Sequence, residues 1–200
     1  MTLTRKGQAT RERILEAAVE LIAQRGAAGT STEDVRKAAG ISGSQLYHYF
    51  DSKQALIRAV ITRQAEAPLV PGQPIMGALD SLDALQAWAD AAVENQQLNQ
   101  GRGDCILTSL AGELSPTDEQ TREDLCNAFQ RWQGLLYDSL QAMRDRGELR
   151  PETDLDEVSM AMLAALQGGS LLSQTLQTAE PMRASMKAAL AYVRSFTPES

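Results

Sequence analysis

Gly40 lies between two short runs that each begin with a helix-starting signature, and no other stretch of the 200-residue chain narrows the available folds as far. Ser31 is followed three residues later by Asp34, a pairing in which a hydroxyl and a carboxylate satisfy each other's backbone N–H groups. Val35, Ala38 and Ala39 then fall on one face. Gly40 permits the left-handed backbone that reverses the chain, Ile41 anchors the turn, and Ser42 caps a second helix running through Tyr49. A longer helix is expected before this pair, from about Thr10 to Arg25. Ile14, Leu15, Ala18, Leu21 and Ile22 recur there at helical spacing, and Gly26 ends the pattern. Phe50 is expected to pack back against that helix. Ser52 should open a fourth, with Ala55, Leu56, Ala59 and Val60 on one face.

The rest of the chain also reads as helix, with no alternating strand. The patterns run from Leu82 to Leu98, Cys105 to Leu114, about Thr117 to Arg146, about Leu155 to Thr178, and Pro181 to Phe196. In the longest, Leu125, Phe129, Trp132, Leu136, Leu140 and Met143 form one stripe, and Gly147 stops it. The fold class is therefore all-α: a three-helix helix-turn-helix head and a helical body, about nine helices in total. Pro68, Pro71, Gly72 and Pro74 form the chain's one proline-rich stretch. They place the boundary between a head at residues 1–66 and a body at 67–200. No run approaches the roughly 18 apolar residues that a membrane span needs. The N-terminal MTLTRKGQATRER lacks the apolar core of a secretory signal. Two cysteines, Cys105 and Cys126, do not make a disulfide framework, so a reducing cytoplasm is the expected setting.

A formal charge of −7 argues against polyanion binding only if it is spread evenly, and it is not. Residues 1–65 hold ten Lys and Arg against six acids, whereas the remainder holds nine against twenty. A basic head on an acidic body binds polyanions with one end and is repelled from them at the other. Catalysis finds little support. The one histidine, His48, lies in the head, which removes Ser-His-Asp and Cys-His sites from the body. No glycine-rich phosphate loop follows a strand, and two cysteines 21 residues apart make no zinc site. Asp118, Glu119, Glu123 and Asp124 crowd a helix start, where they complement its dipole. Neither a metal, a cofactor nor an enzymatic activity is expected.

The head resembles the TetR family of one-component transcriptional repressors over about residues 8–63. The resemblance rests on Ile14, Ala17, Ala18, Leu21, Ile22 and Gly26. It continues through Thr32, Val35, Ala38 and the run Gly40-Ile41-Ser42 to Leu46, Tyr47, Phe50, Lys53 and Leu56. It implies a dimer that binds double-stranded operator DNA and is released by a small, largely apolar effector. Ser42, Gly43, Ser44 and Gln45, at the start of the third helix, are the candidates for reading base edges. Tyr47, His48, Thr32 and Lys53 are those for phosphate. Arg5 and Lys6 are expected in an N-terminal arm tracking the backbone or the minor groove. Leu46 and Phe50 are core.

In the body, Trp88, Cys105, Phe129, Trp132 and Tyr137 are candidate effector contacts, with Met143 beside them. Large apolar residues at helical spacing are ordinarily core, and it is the resemblance that implies some of them face a ligand. Cys105 reads either as a buried structural thiol or as a redox or electrophile sensor, and Cys126 as buried packing. The last two helices are expected to form the homodimer interface as a four-helix bundle. Gly168-Gly169 marks either a close helix crossing or a pocket wall. A helical interaction protein without DNA binding is the contrasting class, and it leaves the basic head without a purpose.

Overall fold

The computed structural model describes residues 4–66, 79–100 and 106–198. Among them are nine helices and no strand: α1 (Arg5–Arg25), α2 (Thr32–Ala38), α3 (Gly43–Tyr49), α4 (Lys53–Glu66), α5 (Leu82–Leu98), α6 (Ile106–Leu114), α7 (Glu119–Asp145), α8 (Leu155–Leu176) and α9 (Glu180–Arg194). The proline-rich stretch and Cys105 lie outside the described residues.

The chain divides into two compact units that interleave along the sequence. One comprises residues 1–66 with 106–128, and the other 67–105 with 129–200. The expected head is wholly inside the first. The segment 106–128, expected in the body, packs with the head helices instead, because α6 lies against α1 and α4. In this unit Ile14, Leu15, Ala18 and Ile22 of α1 are buried together with Val35, Leu46, Phe50, Leu56, Val60, Leu107 and Leu110. In the second unit α5, α8 and α9 pack on one another. Its core takes Leu85, Trp88, Leu136, Leu140, Met143, Met162, Leu166, Met186 and Val193.

Local chemistry explains the head. Ser31 Oγ accepts from the Asp34 N–H at 3.1 Å while Asp34 Oδ2 accepts from the Ser31 N–H at 3.1 Å, the reciprocal cap expected for α2. Gly40 has φ +63°, and a side chain there would meet open space. The whole cost of a side chain at that position is therefore backbone strain. Gly40→Ala is expected to lower stability by about 1 kcal/mol, read as an earlier urea midpoint at unchanged slope; an unchanged midpoint would contradict it.

Three local expectations need correction. Helix α1 begins at Arg5, capped by Thr4, whose Oγ1 accepts from the Gly7 N–H at 3.2 Å. Arg5 and Lys6 thus belong to its first turn and not to a free arm. Cys126 is exposed: one step past Leu125 on a helix turns a side chain about 100° off the buried stripe. On α4 the buried residues are Leu56, Ile57, Val60 and Ile61, with the two alanines only half-buried at the rim. Gly169 is packed close, as a helix crossing demands: a side chain there would come 3.1 Å from the Met182 Cα on α9. Its neighbour Gly168 faces open space.

Candidate nucleic-acid interface

Helix α3 begins with a second reciprocal cap. Ser42 Oγ accepts from the Gln45 N–H at 3.2 Å, and the Ser42 N–H donates to Gln45 Oε1 at 2.9 Å. Ser44 Oγ lies 3.0 Å from Ser42 Oγ. Ser42, Ser44 and Gln45 of the predicted base-reading set are thus held in one hydrogen-bonded cluster. Gln45 is exposed, and its cap leaves the amide Nε2 donors and one lone pair of Oε1 for a base edge. Leu46, on the opposite face, is buried and fixes the helix to the core.

Tyr47 is 58% exposed, far more than a ring at a helical core spacing would be. His48 is exposed beside it, its ring edge-on to Tyr49 at 5.1 Å between centroids. Thr32 and Lys53, the first residues of α2 and α4, line one shallow depression with Ile22, Val35 and Leu56. Two helix N-termini therefore converge, each the positive end of a helix dipole. A lysine at the first position of α4 opposes that dipole. Phe50 is core, as expected, and Arg11 stacks over its ring at 5.4 Å.

Arg36 braces the turn between α2 and α3, and sequence reading did not single it out. Its guanidinium donates to both Glu33 carboxylate oxygens, at 2.7 and 2.6 Å, and to the Ile41 carbonyl at 3.0 Å. Its signal was the Glu33–Arg36 spacing, but the bond to Ile41 depends on the turn geometry. The Arg36 guanidinium holds the Glu33 carboxyl below its usual range, and the Ser31 hydroxyl and N–H do the same for Asp34. Because the folded values are lowered, the stabilisation is present at neutral pH and is lost as pH falls through those lowered values.

The body candidates are placed less evenly. Trp88 and Trp132 are buried, Phe129 and Tyr137 are half-buried, and the Phe129 ring stands edge-on to Trp132 at 6.3 Å. Trp88 Nε1 is buried with no acceptor among the described residues. A separate groove of about 330 Å³ runs between α5 and α9, floored by Ala89, Val93, Met186 and Leu190 and rimmed by polar groups; none of the aromatic candidates lines it. Among the described residues no group of His, Cys, Asp and Glu is arranged to hold a metal ion, and no helix is long and apolar enough to cross a membrane.

Comparison with known proteins agrees with this geometry. Residues 14–60 match the family model for bacterial regulatory proteins of the tetR family. Residues 81–189 match that for the tetracyclin repressor-like C-terminal domain. The HTH-type transcriptional repressor DhaR of Mycobacterium sp. (strain GP1) is 23% identical over 183 residues, covering 86% of each chain. The HTH-type transcriptional regulator UidR of Escherichia coli (strain K12) is 41% identical over 73 residues, 36% of this chain and 37% of its own. A TetR transcriptional regulator from Chloroflexus aurantiacus superposes with a TM-score of 0.77 at 26% identity, covering 98% of this chain and all of that one. The match to the C-terminal domain alone spans more than half of the sequence. The chain therefore belongs to the tetR family of bacterial regulatory proteins, and it is a DNA-binding transcriptional regulator rather than an enzyme.

Proposed function

We propose that the protein is a ligand-released repressor that occludes a near-palindromic operator as a homodimer in the cytoplasm. Each protomer sets the start of α3 into a major groove. Residues 1–66 bind the operator, and residues 67–200 supply the effector site and the dimer interface. The observation that carries this reading is the exposed, pre-capped start of α3, with Ser44, Gln45, Tyr47 and His48 turned to solvent on a helix whose other face is core. Ser42, Gly43, Ser44 and Gln45 read base edges, while Thr32, Tyr47, His48 and Lys53 hold phosphates.

A single three-helix head covers too little DNA for tight specific binding, which argues for two copies. The last two helices are suited to supply the contact. Met160, Leu171, Leu172 and Leu176 of α8 are 47–63% exposed, large apolar side chains with no cover in the single chain. On α9, Ala184, Ala188 and Ala191 are small and exposed. The effector is small and largely apolar, and Trp88, Phe129, Trp132 and Tyr137 are the residues proposed to meet it, with Cys105 in the same role. The buried Trp88 indole N–H, without an acceptor among the described residues, is the polar handle such a molecule would use.

Selection of duplexes from a random library by the purified protein tests this reading. The expected product is a near-palindrome bound by two chains in gel shifts. Failure to enrich any duplex over a heat-denatured control would contradict it.

A further inference from the structure

Glu113 lies one residue before the end of α6, where a carboxylate opposes the negative end of the helix dipole. Its position is explained 86 residues away. One oxygen, Oε2, accepts from the Ala27 N–H at 2.7 Å, and the other, Oε1, accepts from the Ala28 N–H. These two donors belong to the turn that leads out of α1 into the helix-turn-helix pair. Gly26, at φ +72°, aims them the same way, and a side chain on it would stand 3.1 Å from Glu113 Oε2. Ala27 is 1% exposed, so its N–H has no recourse to water, and Glu113 is the acceptor recorded for it. The turn is closed from within as well: Thr30 Oγ1 donates to the Gly26 carbonyl at 2.8 Å, and Ser31, the next residue, caps α2.

We infer that Glu113 is a positioning residue for DNA binding: it clamps the turn after α1 and thereby fixes the direction from which α2 and α3 are presented. The apolar contacts of Val35 and Leu46 hold these helices against α1, but such contacts are non-directional. Two charge-assisted bonds to successive amides are directional. Arg58 of α4, which donates to Asp124 of α7 at 2.7 Å, is a second tie between the head helices and segment 106–128. The inference rests on the α3 reading for its DNA readout, whereas the clamp itself is tested without DNA.

The sign of one substitution separates positioning from charge. Glu113→Gln removes a negative charge from a DNA-binding unit, so electrostatics alone predicts equal or tighter binding. The amide offers one acceptor and turns a donor towards the second N–H. The clamp account therefore expects affinity for the duplex selected by the wild type to fall about tenfold. The slope of log affinity against log salt should stay unchanged, because no phosphate contact is lost. Glu119→Gln, which removes an exposed carboxylate from the start of α7, should not weaken binding. Amide hydrogen exchange supplies the DNA-free arm. In the wild type the Ala27 and Ala28 amides should exchange slowly. In Glu113→Gln they should speed up together with residues 32–49, while α8 and α9 stay protected, a pattern that loss of global stability would not give. Equal or tighter DNA binding by Glu113→Gln, or rapid exchange at Ala27 and Ala28 in the wild type, overturns the inference. If the wild type selects no duplex, the α3 reading fails and the exchange arm still decides the clamp.

Discussion

Replacing Tyr47 and Lys53 together by alanine is expected to weaken binding to the selected duplex by roughly a hundredfold or more, with no loss of thermal stability. Hydrogen bonds to a charged phosphate contribute about 1.5–3 kcal/mol each, and every dimer would lose them in both protomers. Two lysines fewer per dimer should also flatten the salt dependence of log affinity by about two. The fold is expected to be indifferent. Tyr47 is more than half exposed, and Lys53 opens α4 where a cation opposes the helix dipole. Both effects are measured by gel shift or fluorescence anisotropy at several salt concentrations, with a melting curve beside them. Full affinity in the double variant would remove Tyr47 and Lys53 from the interface. Lost affinity with a lowered melting temperature would make them structural.

The second large effect concerns assembly. Leu171→Glu places a charge among the exposed apolar residues of α8, where Leu171 and Leu172 are 47% and 52% exposed in the single chain. Covering a leucine by a partner is worth up to about 1.5–3 kcal/mol, and a two-fold interface counts every residue twice. Losing that burial and desolvating two carboxylates instead should raise the dimer dissociation constant by about a thousandfold or more. Folding of the protomer should be unaffected, since the side chain contributes little to its own core. Sedimentation velocity would then report monomers at micromolar concentration and gel shifts the loss of the two-chain complex. A variant that remains dimeric would move the interface off α8.

What the sequence disclosed and what it concealed divide along contact distance. The cap of Ser31 with Asp34 joins residues three apart, so residue type and spacing suffice to predict it, and Ser42 was legible as the cap of α3, though Gln45 as its reciprocal partner was not singled out. The left-handed turn at Gly40 is equally local, and the burial of α1, α5 and α9 follows from their periodicity. The start of α1 was missed because Thr4, a capable cap, precedes a polar turn without apolar residues to mark it. Cys126 was misplaced because it neighbours Leu125 in sequence but points another way around the helix. Glu113 was out of reach, since nothing within a helical turn of it announces a bond to Ala27 and Ala28. The one local hint was a carboxylate at the unfavourable end of a helix. Segment 106–128 joins the head unit for the same reason: membership is set by packing across the chain and not by the proline-rich stretch.

Methylation interference on the selected duplex tests most directly whether α3 reads the major groove in two copies. The account predicts that modifying guanine N7 blocks binding at two clusters related by the two-fold axis of the site, on successive major-groove faces about one helical turn or more apart. Interference confined to adenine N3 in the minor groove, or to a single unpaired cluster, would contradict it.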